Sequence, residues 1–270
     1  MIMIYKNFLK WQTSVQVFLS RSLIYKANFL AILIIPVFVF FAIQYSLWHS
    51  IYSSNPEKEI QGYTLSRMIE YQFWVFIFNL FVRSYFFSEN ISSHIRLGKI
   101  SSFLLYPFHF IAYQFSSFIS DKIIQFTIAS FCFLIIVSMG LVQTPSILDI
   151  LKFLSFIFLI TLYWFFAQII LGFFSFWLEE TWSLNTAVRF ISAFLSGSIL
   201  PLEFFPKFLT DLLLWTPFPY LAYFPVQILT GQGGDFFNSL FILLFWVIFL
   251  FFLSIKIWKK GLNLYTGTGM

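Results

Sequence analysis

The sequence predicts an all-α integral membrane protein with about six transmembrane helices, on the strength of its composition and its long apolar runs. Of its 270 residues, 60% are hydrophobic and 10% are charged, whereas a soluble domain carries about 25% charged residues. The apolar runs follow one another at short intervals and leave no room for a hydrophilic domain. We therefore expect one membrane domain over residues 1–270, divided into an interfacial helix (1–28), membrane spans (29–258) and a cytoplasmic tail (259–270).

Six segments are candidates for membrane-crossing helices. A helix needs about 20 apolar residues to cross a hydrocarbon core of about 30 Å, where its backbone must be hydrogen-bonded within the segment. Residues 182–200 form the weakest candidate, because Ser183, Asn185 and Arg189 interrupt the run and Pro201 follows it. The other five candidates are residues 29–48, 71–87, 123–142, 153–178 and 236–258. Within the second of them, Arg83 is expected near the cytoplasmic end, where its side chain can reach the interface.

The segment before the first span is predicted to be an amphipathic helix lying in the membrane interface. Its apolar residues recur at helical spacing, with basic residues between them. The apolar positions are Ile4, Phe8, Trp11, Val15, Phe18, Leu19 and Leu23, and the basic ones are Lys6, Lys10 and Arg21. The order of a cleavable signal peptide is missing here, so we expect this segment to be retained.

The basic residues predict the orientation, since loops rich in Lys and Arg stay on the cytoplasmic side. One side carries Lys6, Lys10, Arg21, Lys26, Arg96, Lys99, Arg189, Lys256, Lys259 and Lys260. The other carries Lys58, Arg67, Lys152 and Lys207 among a larger number of acidic residues. We therefore expect a multi-pass protein of the plasma membrane with both termini in the cytoplasm.

A polar stretch over residues 88–99 separates the second and third candidate spans. It is too polar to cross a membrane. Ser88 can cap a short helix, Gly98 can end it and Pro107 can set the entry angle of the next segment. We expect a short cytoplasmic helix here.

Three stretches together resemble the membrane subunits of ABC-2 type transporters. The first runs from a basic residue and glycine, Arg96 to Gly98, to the leucine pair before Pro107. The second covers residues 196–206 and continues through the proline-rich residues 217–231. The last is the tail, residues 258–262 with Tyr265. Their joint order and spacing carry the resemblance, which covers nearly the whole chain.

The resemblance implies two functional segments. The polar segment after the second span would be the coupling segment that contacts an ATPase subunit, with Glu89, His94, Arg96, Gly98 and Lys99 as its candidate residues. The stretch after residue 200 would be a re-entrant hairpin that closes the transport path on the outer side. Its candidate residues are Gly197, Pro201, Glu203, Pro206 and Pro217. The alternatives are a solvated loop without a partner for the first segment and a loop on the membrane surface for the second.

Several chemistries have no motif in this sequence. A phosphate-binding loop is missing, because Gly98-Lys99-Ile100-Ser101 lacks the preceding glycine at the required distance. His49, His94 and His109 are isolated, and the single cysteine, Cys132, cannot build a metal site. We therefore expect no catalytic, cofactor-binding or metal-binding residues in this chain, no nucleic-acid partner, and ATP and Mg bound by a separate ATPase.

The leading hypothesis is the permease subunit of an ATP-driven ABC transporter. It would pair with two copies of an ATPase subunit and with a second permease copy or a sister permease, in contact with membrane lipid. The resemblance favours export of a drug, a lipid or a glycan. One alternative is a lipid-modifying membrane enzyme, for which Glu179, Glu180 and Arg189 form the best polar group, and another is a membrane scaffold without transport activity.

Overall fold

A computed structural model describes residues 11–20, 26–53, 59–82, 87–105, 109–138 and 144–265, and these residues are mostly helical. Eleven helices lie in this part of the chain. They are α1 (residues 11–20), α2 (Lys26–Ile51), α3 (Leu65–Val82), α4 (Phe87–Arg96), α5 (Ile100–Leu105), α6 (Phe110–Ser138), α7 (Ile147–Phe173), α8 (Trp182–Leu195), α9 (Lys207–Leu213), α10 (Tyr223–Leu229) and α11 (Phe236–Leu262). Three short 3-10 turns, Phe174–Phe176, Leu202–Phe204 and Phe218–Leu221, join some of them.

Four of the described helices are long and apolar enough to cross a membrane. Their apolar stretches are Ile34–Ile51, Phe110–Ile135, Ile147–Phe176 and Phe236–Leu262. The all-α membrane fold predicted from the sequence is confirmed. The two other predicted spans correspond to α3 and α8. With 14 residues, α8 rises only about 21 Å, less than the thickness of the hydrocarbon core.

Helix α7 is the centre of the fold, and α2 and α11 lie at its periphery. Of the residues in the α7 span, 61% are buried, against 17% for α2 and for α11. Helices α3, α4, α10 and α11 all contact α7. The apolar side chains of α2 and α11 that remain exposed therefore face outward, as expected for helices surrounded by lipid.

Two predicted boundaries were wrong. The third span was predicted to begin at residue 123, but α6 begins at Phe110, because the polar side chains of its first half are buried against neighbouring helices. The second span was predicted over 71–87, but α3 ends at Val82 and Phe87 already belongs to α4. Ser88, predicted as a helix cap, therefore lies inside α4. Arg83 and Pro107 lie outside the described residues.

The predicted interfacial helix is present over the residues described, as α1. Its less exposed positions include Trp11, Val15 and Phe18, which follow the predicted apolar stripe. Trp11 contacts Phe115 edge to face, with ring centroids 5.6 Å apart, so α1 lies against the start of α6. The remainder of the predicted helix, residues 1–10 and 21–25, lies outside the described part.

The polar segment and the end of α11 lie at the same end of the molecule. The Ser101 and Tyr265 hydroxyls are 3.1 Å apart. The rings of Phe110 and Trp258 are stacked, with centroids 4.7 Å apart and an angle of 1° between their planes. We call this end, which holds α1, α4, α5 and the end of α11, the basic end, because Lys99, Lys259 and Lys260 are exposed there.

Candidate functional site

Helix α4 carries one polar stripe and one apolar face. Glu89, Ser92 and Arg96 recur at the spacing i, i+3, i+7, which places them on one side of a helix. Ile91 and Ile95 are buried in an apolar cluster with residues of α6, α7 and α11. Helix α4 is therefore held inside the protein along most of its surface.

The first residue of the stripe, Glu89, binds two side chains of α8. Its Oε1 atom accepts a hydrogen bond from Nδ2 of Asn185 at 2.8 Å and a longer one from the Arg189 guanidinium at 3.4 Å. Asn185 in turn accepts a hydrogen bond from Nε2 of Gln168 at 3.4 Å. A chain of polar side chains thus joins α4, α8 and α7.

The other two residues of the stripe bind the segment between α7 and α8. The hydroxyls of Ser92 and Thr181 are 2.6 Å apart. Arg96 donates to the Glu180 carboxylate at 2.7 Å and to the backbone carbonyl of Glu179 at 3.2 Å. Residues later in α4 contact residues earlier in the segment 179–189. Helix α4 and this segment therefore run antiparallel to each other.

A glycine allows α4 to approach α7 closely. A Cβ atom at Gly172 would lie 2.7 Å from the Cβ atom of Ile91 and 3.1 Å from the backbone oxygen of Ser88. Real Cβ contacts at the first of these distances essentially never occur. Gly172 is therefore required for the observed position of α4.

The five residues predicted for the coupling segment divide into two groups. Glu89, His94 and Arg96 make contacts within the protein, and Nδ1 of His94 lies 3.5 Å from the side-chain amide of Gln114. Gly98 adopts a positive φ of 69°, a conformation that favours glycine, and turns the chain between α4 and α5. Lys99 follows it and is exposed.

The exposed surface of this segment mixes apolar and polar side chains. Leu97 and Leu105 are 64% and 86% exposed, and Lys99, Ser101 and Ser102 lie between them. We call residues 97–105 the docking turn.

A cavity of 140 Å³ lies between α2, α3, α7 and α8. Its apolar walls include Phe40, Phe78 and Trp164. Its polar lining comes largely from α8 and the residues after it, Arg189, Ser192, Ser196 and Ser198, together with Asn79 and Gln168. Asn185, Arg189, Ser192 and Ser196 share one face by their helical spacing. Asn185 and Arg189, which weaken the predicted span, therefore belong to an inward stripe, whereas Ser183 is exposed.

The chain after α8 is irregular, and side chains of α2 and α3 satisfy its backbone. The Tyr71 hydroxyl donates to the Gly197 carbonyl at 2.7 Å. Gln44 and Gln72 both donate to the Ile199 carbonyl, at 3.2 and 3.3 Å. Irregular backbone at membrane depth requires such burial in protein. Gly197 itself adopts a φ of 84°.

Helices α9 and α10 lie in the stretch for which the sequence predicts a re-entrant hairpin. Helix α10 packs against α7 and α3, whereas α9 exposes Phe208 and Leu212. Among the predicted hairpin residues, Pro201 and Pro217 are buried and precede 3-10 turns. Pro206 is exposed and precedes α9.

Glu203 anchors a small polar cluster beside the hairpin. It accepts a hydrogen bond of 2.5 Å from the Tyr223 hydroxyl, and Gln227 binds the Tyr63 hydroxyl at 3.0 Å. Burial, and next the Glu203 carboxylate, raise the pKa of Tyr63 above its ordinary value. This phenol therefore remains neutral at physiological pH.

The structure also shows buried polar residues that the sequence analysis missed. Lys122 donates to the Val82 carbonyl at 2.7 Å and to Oε1 of Gln125 at 2.8 Å. Gln125 donates to the Leu80 carbonyl at 2.8 Å. The sequence does contain a pattern that could have revealed them. Lys122 and Gln125 stand three positions apart beside an apolar run, a spacing that places both side chains on one face of a helix.

The three residues considered for an enzyme do not form one site. Glu180 binds Arg96, and Arg189 binds Glu89. Within the described ranges, no group of three or more His, Cys, Asp or Glu residues could hold a metal ion. Glu180 and Arg189 take part in separate ion pairs that connect α4 with the chain around α8.

The fold and the site define a helical multi-pass membrane protein in which a polar segment at one end is linked to an internal cavity. The family model of the ABC-2 family transporter protein matches residues 38–269, and the chain belongs to this family. It is thus the membrane component, or permease subunit, of an ABC transporter, a class that works with an ABC ATPase. A search of curated proteins found no match.

Proposed function

We propose that this permease is an exporter of a hydrophobic or amphipathic substrate, driven by an ATPase that binds the docking turn. Two ATPase copies, which bind ATP and Mg, would act on two permeases, either two copies of this chain or this chain with a sister permease. The basic end would face the cytoplasm of the cell, in the plasma membrane, and the α9–α10 hairpin would close the outer side.

The connection made by α8 carries this proposal. Near its start, Asn185 and Arg189 bind Glu89 of α4. After its end, the Ser196 carbonyl accepts a hydrogen bond from the Tyr223 backbone at 3.0 Å. Between these points α8 lines the cavity. A displacement of α4 would therefore reach the cavity and the hairpin through one short helix.

The charges of the basic end support the orientation. Exposed lysines follow α4 and end α11, and they favour the cytoplasmic side. The docking turn lies there too, which is where an ATPase that uses cytoplasmic ATP must bind. In the proposed export, the substrate would move from the cavity past the hairpin to the outside.

The first test is purification of the protein from its native membrane in mild detergent, with identification of the chains that co-purify. We expect an ATPase with a phosphate-binding loop and vanadate-sensitive ATP hydrolysis. A permease that elutes alone, under conditions that preserve other complexes, would contradict the proposal.

The docking turn is tested by Lys99→Glu, with Lys207→Glu as the matched control. Both lysines are exposed, but Lys207 lies in α9. Reversal of a charge in an interface should weaken ATPase binding at least about tenfold. We expect this loss for Lys99→Glu alone. Equal retention of the ATPase by both variants would exclude the docking turn as its binding surface.

Arg96 calls for a different substitution because it binds Glu180 within the permease. Arg96→Glu should uncouple ATP hydrolysis from transport without releasing the ATPase. The double variant Arg96→Glu with Glu180→Arg should restore coupling, since the opposite charges meet again. ATP hydrolysis and substrate uptake into inside-out vesicles would be measured together.

A further inference from the structure

The cavity between α2, α3, α7 and α8 has two chemically different sides. Phe78 and Trp164 offer aromatic surface, while Asn79, Gln168 and Ser192 offer polar atoms. Among the described residues of its lining, Arg189 is the only one with a formal charge. A ligand that satisfies both sides is amphipathic, and its polar group is an anion.

Arg189 is held by a weak partner. Its single described ion pair is with Glu89, at 3.4 Å, whereas charge-assisted N–H···O bonds are about 2.7–2.9 Å long. A guanidinium has five N–H donors, so most of its bonding capacity is available. The second oxygen of Glu89, Oε2, is buried and has no hydrogen-bond partner among the described residues. Neither member of the pair is fully satisfied.

The weak pair joins the cavity to α4, because Glu89 belongs to α4 and Arg189 lines the cavity. An anion that enters the cavity meets a guanidinium whose competing carboxylate lies on the segment connected to the docking turn. The ligand anion and the Glu89 carboxylate compete for the same guanidinium. Ligand binding therefore disfavours the contact that Arg189 makes with α4. By linkage, each then weakens the other.

We propose that Arg189 binds the anionic group of an amphipathic substrate, and that the substrate takes Arg189 from Glu89 and so removes the longer of the two contacts of Glu89 with α8, the other being the hydrogen bond from Asn185. This inference rests on the proposed transport function and names its substrate class. The cavity has a volume of 140 Å³. It is smaller than the 300–1,000 Å³ of a typical drug-sized site. The cavity thus fits a phosphate or carboxylate group and the adjoining part of an apolar chain.

Equilibrium binding of radiolabelled dodecyl phosphate to the purified permease in dodecyl maltoside tests the proposal. The detergent is a neutral amphiphile with the same chain in large excess, so the bound probe reports the anionic group. Arg189→Gln should weaken binding about tenfold, as for the loss of a hydrogen bond between charged groups. Glu89→Gln should strengthen binding, because it removes the competitor of the ligand.

Lys152→Gln is the matched control. Like Arg189, Lys152 is a half-buried cationic side chain paired with a carboxylate, that of Asp149 at 3.3 Å, but it does not line the cavity. We expect unchanged binding. If Arg189→Gln does not yield a monodisperse protein, Glu89→Gln still tests the competition, because its affinity for dodecyl phosphate is expected to increase.

Three outcomes would overturn the proposal. Weaker binding in both Arg189→Gln and Glu89→Gln would assign the pair a structural role only, and unchanged binding in both would remove Arg189 from the site. Displacement by inorganic phosphate as effective as by unlabelled dodecyl phosphate would show that the site takes a free anion. Because the measurement uses the permease alone, its failure is distinguishable from a failure to co-purify with an ATPase.

Discussion

Lys122 is a buried lysine whose side-chain nitrogen binds the end of α3. The last carbonyls of a helix have no partner within the helix, and here Lys122 and Gln125 supply donors to Val82 and Leu80. The residues that follow Val82 lead to α4. Lys122 thus fixes the point from which the polar segment leaves the membrane domain.

We predict that Lys122→Met destabilises the permease. The substitution keeps the length of the side chain but leaves the Val82 carbonyl without its donor, at a cost of about 1–3 kcal/mol. The melting temperature of the purified protein should fall, as measured by size-exclusion chromatography after heating. Lys256→Met, at an exposed lysine of α11, should leave it unchanged, and an equal effect of both substitutions would contradict this role.

At the scale of single residues, the sequence identifies several members of the site but not their partners. The resemblance predicts Glu89 and Arg96 as residues of the coupling segment, and Arg189 stands out as an interruption of a weak span, but the sequence does not predict their partners, because the pairs are distant in the chain. Glu89 and Arg189 lie 100 positions apart, so no local pattern connects them. Lys122 was missed because it falls at the border of an apolar run, where a lysine resembles an ordinary flanking residue.

At the scale of elements, the contact between α4 and α7 depends on the absence of a side chain at Gly172. The helices approach so closely that Ile91 occupies the space of a Cβ atom. This contact, together with the polar stripe of α4, makes α4 part of the membrane domain, whereas the docking turn remains exposed.

We predict that Gly172→Ala displaces α4 and lowers stability. Overpacking of a tight contact costs about 1–3 kcal/mol, and coupling of ATP hydrolysis to transport should fall with it. Gly234→Ala is the control, since the added Cβ atom would lie an ordinary 3.7 Å from its nearest neighbour, Cε1 of Phe224. Thermal stability and ATPase activity of the complex would be compared, and wild-type values for Gly172→Ala would show that α4 has room to move.

Helix α8 shows why the number of spans could not be read from the sequence. Its polar residues suggest a weak span, and in the structure Asn185 and Arg189 lie on the inward stripe of a helix of 14 residues, while Ser183 is exposed. A short helix followed by irregular backbone is stable only because Tyr71, Gln44 and Gln72 satisfy the backbone carbonyls. Those partners come from other helices.

At the scale of the whole molecule, the two ends differ in charge and in structure. The basic end holds the docking turn and the end of α11, and the other end holds the hairpin with Glu203 and the start of α11. The N-cap of α11 is Asp235, on the side predicted to be more acidic. This arrangement makes the orientation testable.

We predict that single cysteines at the two ends label from opposite sides of the membrane. The native Cys132 is the only cysteine in the chain, so Cys132→Ser provides a clean background. Lys207→Cys should react with a membrane-impermeant maleimide in intact cells, and Lys99→Cys only after permeabilisation. Labelling of both from the same side would refute the proposed orientation.

The sequence by itself determined that this protein is a helical membrane domain, which of its segments are apolar and where its basic residues gather. These properties follow from local composition, because a bilayer accepts only segments that are apolar and hydrogen-bonded within themselves. Only the tertiary structure decided which polar residues meet, namely Glu89 with Arg189, Arg96 with Glu180 and Lys122 with Val82. Those contacts depend on the rotation and depth of each helix, which are set by packing against its neighbours and not by its own sequence.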